Sequence, residues 1–171
     1  SLQFSIDGTG EIFEYLRTNS VDATMNANVD KFYQLAERVH NIHVTFNFTL
    51  SWMNVLAFPA FYNWALDNYP DAGTMHLTKI SGPKHYAVDL LPEDIKKNIL
   101  SSLSLKEGSL QFQRVVNLYK ESLQFSNPGN TVLLNKGIAE LKRLADLRKT
   151  TLISIEPILK LIEQNTNQTT Q

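Results

Sequence analysis

Ser1-Leu2-Gln3-Phe4-Ser5-Ile6-Asp7-Gly8, continued by Thr9-Gly10-Glu11 and the apolar-rich Ile12-Phe13-Glu14-Tyr15-Leu16-Arg17, is the stretch that decides the fold. Its first part reads as a buried strand running into a polar turn, and Glu11 to Arg17 reads as a helix. A strand whose carboxyl end carries Ser, Asp and Gly, followed at once by a helix, is how parallel α/β proteins present polar groups to a ligand. The chain opens inside this unit, without an initiator Met. That opening reads as the back part of a larger enzyme domain, with upstream strands beside the otherwise unprotected first strand.

Working outward, a polar stretch from Thr18 to Asn28 precedes a second helical pattern, Val29 to His40. In it Val29, Phe32, Tyr33, Leu35, Ala36 and Val39 recur at 3–4 spacing, with Asn28 as its expected cap. Ile42 to Leu50 alternates with period two and is β-branched and aromatic, so it reads as a strand with His43, Thr45, Asn47 and Thr49 on one register. Pro59 suits the first turn of a helix to Tyr69. Met75 to Ile80 reads as a third strand, closed by Ser81-Gly82-Pro83.

Strands alternating with helices imply right-handed crossovers and a parallel sheet. Beyond Leu91 the patterns are helical: about Leu91–Leu103, Ser109–Phe125, Thr131–Lys149, and a short helix after Pro157. Asn127-Pro128-Gly129-Asn130 breaks the second from the third, and the Asn, Gln and Thr of the tail from Asn165 read as frayed. The expected fold is α/β: a partial (β/α) barrel of about three parallel strands over residues 1–90, an all-helical C-terminal region over 91–163, and a disordered tail over 164–171.

Composition narrows the function classes. Of 171 residues, 43% are hydrophobic and 19% charged, as in an ordinary globular protein. A net charge of −1 argues against a large nucleic-acid-binding surface. The apolar stretch from Leu50 to Leu66 is interrupted by Ser51, Asn54, Pro59 and Asn63, so it is not a membrane span. With no Cys, disulfides and thiolate-held metals are excluded within these residues. Of the four His (40, 43, 76 and 85), none makes a metal-ligand spacing with carboxylates, and His40 and His43 straddle a helix-to-strand junction.

Ser5-Ile6-Asp7-Gly8-Thr9-Gly10-Glu11 through Arg17 resembles the fourth strand and following helix of radical S-adenosylmethionine (radical SAM) enzymes, in particular the twitch domain-containing subgroup. Further resemblances run in order down the chain. They are Val44–Asn47 with Ser51-Trp52, Phe58-Pro59 to Trp64, Leu90-Leu91-Pro92-Glu93-Asp94, and Leu144-Ala145-Asp146-Leu147-Arg148 before Ile155-Glu156-Pro157. Together they span roughly residues 2 to 162.

The resemblance implies the last three units of a partial (β/α)6 barrel. Such enzymes hold a 4Fe-4S cluster on a Cys-x3-Cys-x2-Cys loop, cleave S-adenosylmethionine reductively and abstract hydrogen from a substrate. That loop lies upstream of anything present here, so this chain alone should be inactive and hold no metal. The substrate, a peptide or small molecule, is unreadable, and a cytoplasmic location is expected, with neither nucleic acid nor membrane as partner.

The resemblance also nominates cofactor-binding positions. Ser5 and Asp7 share one face of the first strand, where a hydroxyl and a carboxylate suit a ribose diol or an ammonium group; Asp7 serves equally as a turn or helix cap. Arg17 corresponds to an Arg whose guanidinium forks onto the cofactor carboxylate, against an ordinary ion pair with Glu14 or Asp22. Asn47 and Thr49 lie toward the end of the second strand on the lumen register, against mutual pairing within the barrel. Ile80 ends the third strand, where backbone groups approach adenine. Catalytic residues are not expected here. The competing readings are a non-catalytic α/β binding or scaffold module and an aldolase-like lyase, for which Lys79 is the sole near candidate.

Overall fold

The computed structural model describes residues 1–39, 41–72, 74–124 and 129–168. Their elements are β1 (Leu2–Ser5), α1 (Glu11–Leu16), α2 (Asp22–Arg38), β2 (Val44–Leu50), α3 (Phe58–Asn68), β3 (Thr74–Lys79), α4 (Glu93–Ser101), α5 (Leu110–Gln124), α6 (Thr131–Arg148) and α7 (Glu156–Gln168). Strand alternation in the sequence thus yields a three-stranded parallel sheet in the order β1-β2-β3, with helices as the crossovers. His40, Gly73 and the expected break at Asn127-Pro128 lie outside the described residues.

Two boundaries differ from the sequence pattern. The second helix begins at Asp22, with Val21 at its N-cap, not at Asn28. Its first turns are polar because Asp22 and Asn26 are spent on hydrogen bonds rather than on the core, and apolar periodicity does not register such turns. At the other end α7 runs on to Gln168, so Asn165 to Gln168 are helical instead of frayed; Thr166 Oγ1 donates to the Ile162 carbonyl at 2.9 Å.

The chain forms two compact units. Unit 1 comprises Ser1–Thr49, Ala57–Thr78 and Ser104–Tyr119. Its core lies on the apolar face of the sheet and is mainly aromatic: Phe46, Phe48, Phe58, Phe61, Tyr62, Phe112 and Tyr119 are all fully buried. Phe46 has ring neighbours at 5.5 Å (Tyr69), 5.7 Å (Trp64) and 6.2 Å (Phe61), and Phe58 stacks on Tyr119 at 4.3 Å. Such pairs add to the burial of ring area, which dominates core energetics.

Unit 2 comprises Leu50–Leu56, Lys79–Leu103 and Lys120–Gln171. Here α6 packs on the 3-10 turns Lys84–Tyr86 and Val88–Leu90, and α4 packs on α7. Asn130 caps α6, accepting from the Leu133 N–H at 3.0 Å. Gly137 lets α6 approach closely: a Cβ there would collide with the His85 carbonyl oxygen, which accepts from Trp52 Nε1 at 2.8 Å. No helix among the described residues is long and apolar enough to cross a membrane.

Candidate functional site

The register Leu2↔Val44 to Ser5↔Asn47 sets the end of β1 opposite Asn47, and β2 runs on to Leu50. Ile6 N–H donates to the Asn47 carbonyl at 2.9 Å, which carries the pairing one step beyond the strand. Asp7 therefore arrives beside Thr49. Its Oδ1 accepts from the Thr49 backbone N–H at 2.9 Å, while its Oδ2 accepts from Arg17 Nη2 at 2.7 Å and Nε at 3.1 Å. One carboxylate joins both strand ends to the end of α1. Bonds to an ionised group are the stronger kind. The Asp7 side chain is 15% exposed and that of Arg17 37%, so solvent screens the pair in part.

Glycine geometry brings Arg17 back to Asp7. Gly8 (φ 151) and Gly10 (φ 63) turn the chain from β1 into α1 through angles disfavoured for residues with a Cβ. Gly10 N–H donates to Asp22 Oδ1 at 2.7 Å, and Asp22 N–H donates to Glu14 Oε1 at 2.9 Å. The two acids nearest Arg17 in sequence are thus engaged by backbone. The guanidinium turns to Asp7 instead of pairing with Glu14 or Asp22.

The remaining nominated residues are distributed as follows. Ser5 is exposed at the end of β1. Asn47 Oδ1 accepts from Thr78 Oγ1 at 3.1 Å, so its side chain bridges to the neighbouring strand. Thr49 enters through its backbone N–H, a role the residue type does not advertise. Ser5, Asp7, Arg17, Asn47 and Thr49 all belong to unit 1; Ile80 belongs to unit 2, where its N–H donates to the Leu50 carbonyl at 2.9 Å. The sequence reading missed Thr78, whose signal was the alternation Thr74, His76, Thr78, and Asp22, which fixes the turn into α1.

Asn47 and Thr78 mark a polar sheet face. On it Gln3, Ser5, His43, His76 and Thr78 are exposed, whereas parallel sheets are ordinarily covered on both faces. Nearer the strand starts, Ser1, Gln3, His43, Thr45, Thr74 and His76 line a groove of about 400 Å3. Thr74 Oγ1 lies 3.2 Å from His76 Nε2 there.

This donor set does not fit an iron–sulfur cluster. The chain has no Cys, and the described residues contain no group of three or more metal-binding side chains. The Asp7 bonds use Nε and Nη2 of Arg17, and Ser5 is exposed at the end of β1. No family model matches the chain, and no curated protein or solved structure matches it.

Proposed function

We propose that the chain is the later part of a radical SAM enzyme, and that the ends of β1 and β2 form part of the pocket for S-adenosylmethionine. In this reading the sheet is part of a (β/α) barrel, its polar face is the lumen, and the cluster-binding residues lie on polypeptide outside these 171 residues. S-adenosylmethionine supplies the hydrogen-abstracting radical when the cluster is present. The substrate is a peptide or small molecule, and the enzyme works in the cytoplasm.

The observation that carries the reading is the Asp7–Arg17–Thr49 junction at the strand ends. Asp7 there acts through Arg17: it engages Nε and Nη2 and so fixes the guanidinium, and the Nη1 side is the part that would meet a ligand carboxylate. Ser5 offers a hydroxyl to a ribose, and Asn47 is held by Thr78.

The test is amide chemical-shift mapping of the chain with millimolar S-adenosylmethionine. Shifts clustered at Ser5–Gly8, Arg17 and Asn47–Thr49 are expected, and Asp7→Asn should weaken binding several-fold while costing about 1 kcal/mol of stability. Saturating nucleoside without any shift at these amides would refute it. A second reading, a non-catalytic α/β binding or scaffold module, draws on one observation: both Asp7 oxygens are already engaged within the chain. It expects stability loss in Asp7→Asn with no ligand effect.

A further inference from the structure

Asp30 and Tyr33 lie three apart on α2, so both face the same side of that helix. Trp64 lies within α3, and Tyr69 follows directly on its end. The fold of unit 1 brings these four side chains together. Tyr69 is 3% exposed, and its hydroxyl donates to Asp30 Oδ1 at 2.6 Å, the short distance of a bond to a charged acceptor. Its ring lies edge-on to Trp64 at 5.2 Å and to Tyr33 at 5.1 Å, centroid to centroid. Trp64 and Tyr33 are half-buried, and Asp30 is exposed. Three oxidisable rings thus run in contact from Trp64 through a buried phenol to Tyr33, with a proton acceptor at the middle one.

Tyr62 shows the contrasting case in the same core. It is fully buried, its ring neighbours include Phe58 at 6.0 Å and Phe112 at 5.9 Å, and its hydroxyl has no hydrogen-bond partner among the described residues. Phenylalanine does not yield electrons to oxidants that attack tryptophan and tyrosine. A buried phenol that lost an electron but kept its proton would be an unpaired cation in an apolar setting, which is costly. Tyr69 has the oxidisable neighbours and the proton acceptor together.

We propose that Trp64, Tyr69 and Tyr33 form a redox relay that carries a one-electron oxidising equivalent out of the aromatic core of unit 1. The oxidant is a small one-electron acceptor of high potential, such as the carbonate radical anion. It takes one electron from Trp64 and leaves that ring a radical cation. Tyr69 returns an electron to Trp64 while its phenolic proton crosses the 2.6 Å bond to Asp30. An oxidised phenol is a far stronger acid than a carboxylic acid, so the proton moves in that direction. The products are neutral Trp64, a neutral tyrosyl radical and a protonated Asp30 carboxyl, and no unpaired charge stays in the core. Tyr33 then gives an electron to Tyr69, Asp30 hands its proton back to Tyr69, and the Tyr33 proton leaves to water. A thiol or ascorbate in solution restores Tyr33 by giving up one electron and one proton. The relay uses no residue of the Asp7–Arg17–Thr49 junction and does not depend on the proposed ligand.

Laser flash-quench oxidation of the 171-residue chain with a ruthenium tris-bipyridine complex supplies an oxidant of this class. Transient absorption separates the broad tryptophanyl band from the narrow tyrosyl one. In the wild-type chain the tryptophanyl signal should decay into a tyrosyl signal, and do so more slowly in heavy water because a proton moves. Tyr69→Phe should lengthen the tryptophanyl lifetime by about tenfold or more. Asp30→Asn, which keeps an oxygen acceptor but takes up no proton, should slow the tyrosyl step to a similar degree and serves if Tyr69→Phe loses its fold. Tyr62→Phe should leave both signals as they are. A tryptophanyl lifetime unchanged in Tyr69→Phe, or a tyrosyl step as fast in Asp30→Asn as in the wild type, would overturn the relay.

Discussion

In unit 1 polar side chains gather on one sheet face and bond across long sequence separations: Asp7 to Thr49 spans 42 residues and Thr78 to Asn47 spans 31. In unit 2 the polar side-chain bonds are mostly local. Ser51 and Asn54 close a turn, Asn130 caps α6, and Glu140 pairs with Arg143 one helical turn on. Local bonds satisfy the ends of helices and turns, and their geometry serves the fold itself. Bonds that join separate strand ends place unlike chemical groups at one spot. That difference is why the ligand reading attaches to unit 1.

Alkaline pH should break the two units apart most strongly. Burial raises the pKa of Tyr33, Tyr62, Tyr69 and Tyr119 in unit 1, and Tyr69 is held further by donating to Asp30 at 2.6 Å. In unit 2 Tyr86 is the one tyrosine raised among the described residues. Each folded value exceeds the unfolded one, so the stability these phenols contribute is fully present below pH about 10, where unfolded tyrosine ionises. It is lost as pH rises through the folded values. Amide exchange or near-ultraviolet dichroism above pH about 10 should show unit 1 yielding first; simultaneous loss would erase the distinction.

Phe46→Ala ranks next. It removes a fully buried ring from the centre of the aromatic core, at a cost of about 3–5 kcal/mol in urea denaturation. Gly137→Ala is the corresponding test of unit 2. A Gly-to-Ala change inside an exposed helix gains up to about 1 kcal/mol. Here the added methyl meets the His85 carbonyl, so a net loss of about 1–3 kcal/mol is expected, and a stabilised variant would show that α6 stands off that turn. The smallest effect belongs to Tyr62, whose buried hydroxyl has no hydrogen-bond partner among the described residues. Tyr62→Phe should be neutral or stabilise by up to about 1 kcal/mol, and a clear loss would reveal a partner for the hydroxyl.

The periodicity of Val44 to Leu50 and the Pro59 start signal made β2 and α3 readable in the sequence to within about two residues. Residues at the strand ends could be named from the sequence, but not the bonds that they make. Ser5, Asp7, Arg17, Asn47 and Thr49 were nominated through a resemblance, yet the Asp7–Thr49 bond depends on the register Ser5↔Asn47. Register between strands so far apart in sequence is a property of the packed sheet. Arg17 shows the same limit. Sequence proximity favoured Glu14 or Asp22, and both were taken by backbone donors once the turn at Gly8 and Gly10 had formed. The mid-helix Gly137 could have been flagged, since a helix accepts that conformational cost mainly where another backbone comes close.

Equilibrium dialysis of the wild-type chain and Arg17→Ala against S-adenosylmethionine and adenosine tests the central claim most directly. If the strand ends of unit 1 grip the amino-acid end of the ligand through Arg17, the substitution should cost S-adenosylmethionine about tenfold in affinity and leave adenosine, which has no carboxylate, unchanged. Equal binding of S-adenosylmethionine by both chains, or none by either at millimolar ligand, would contradict it.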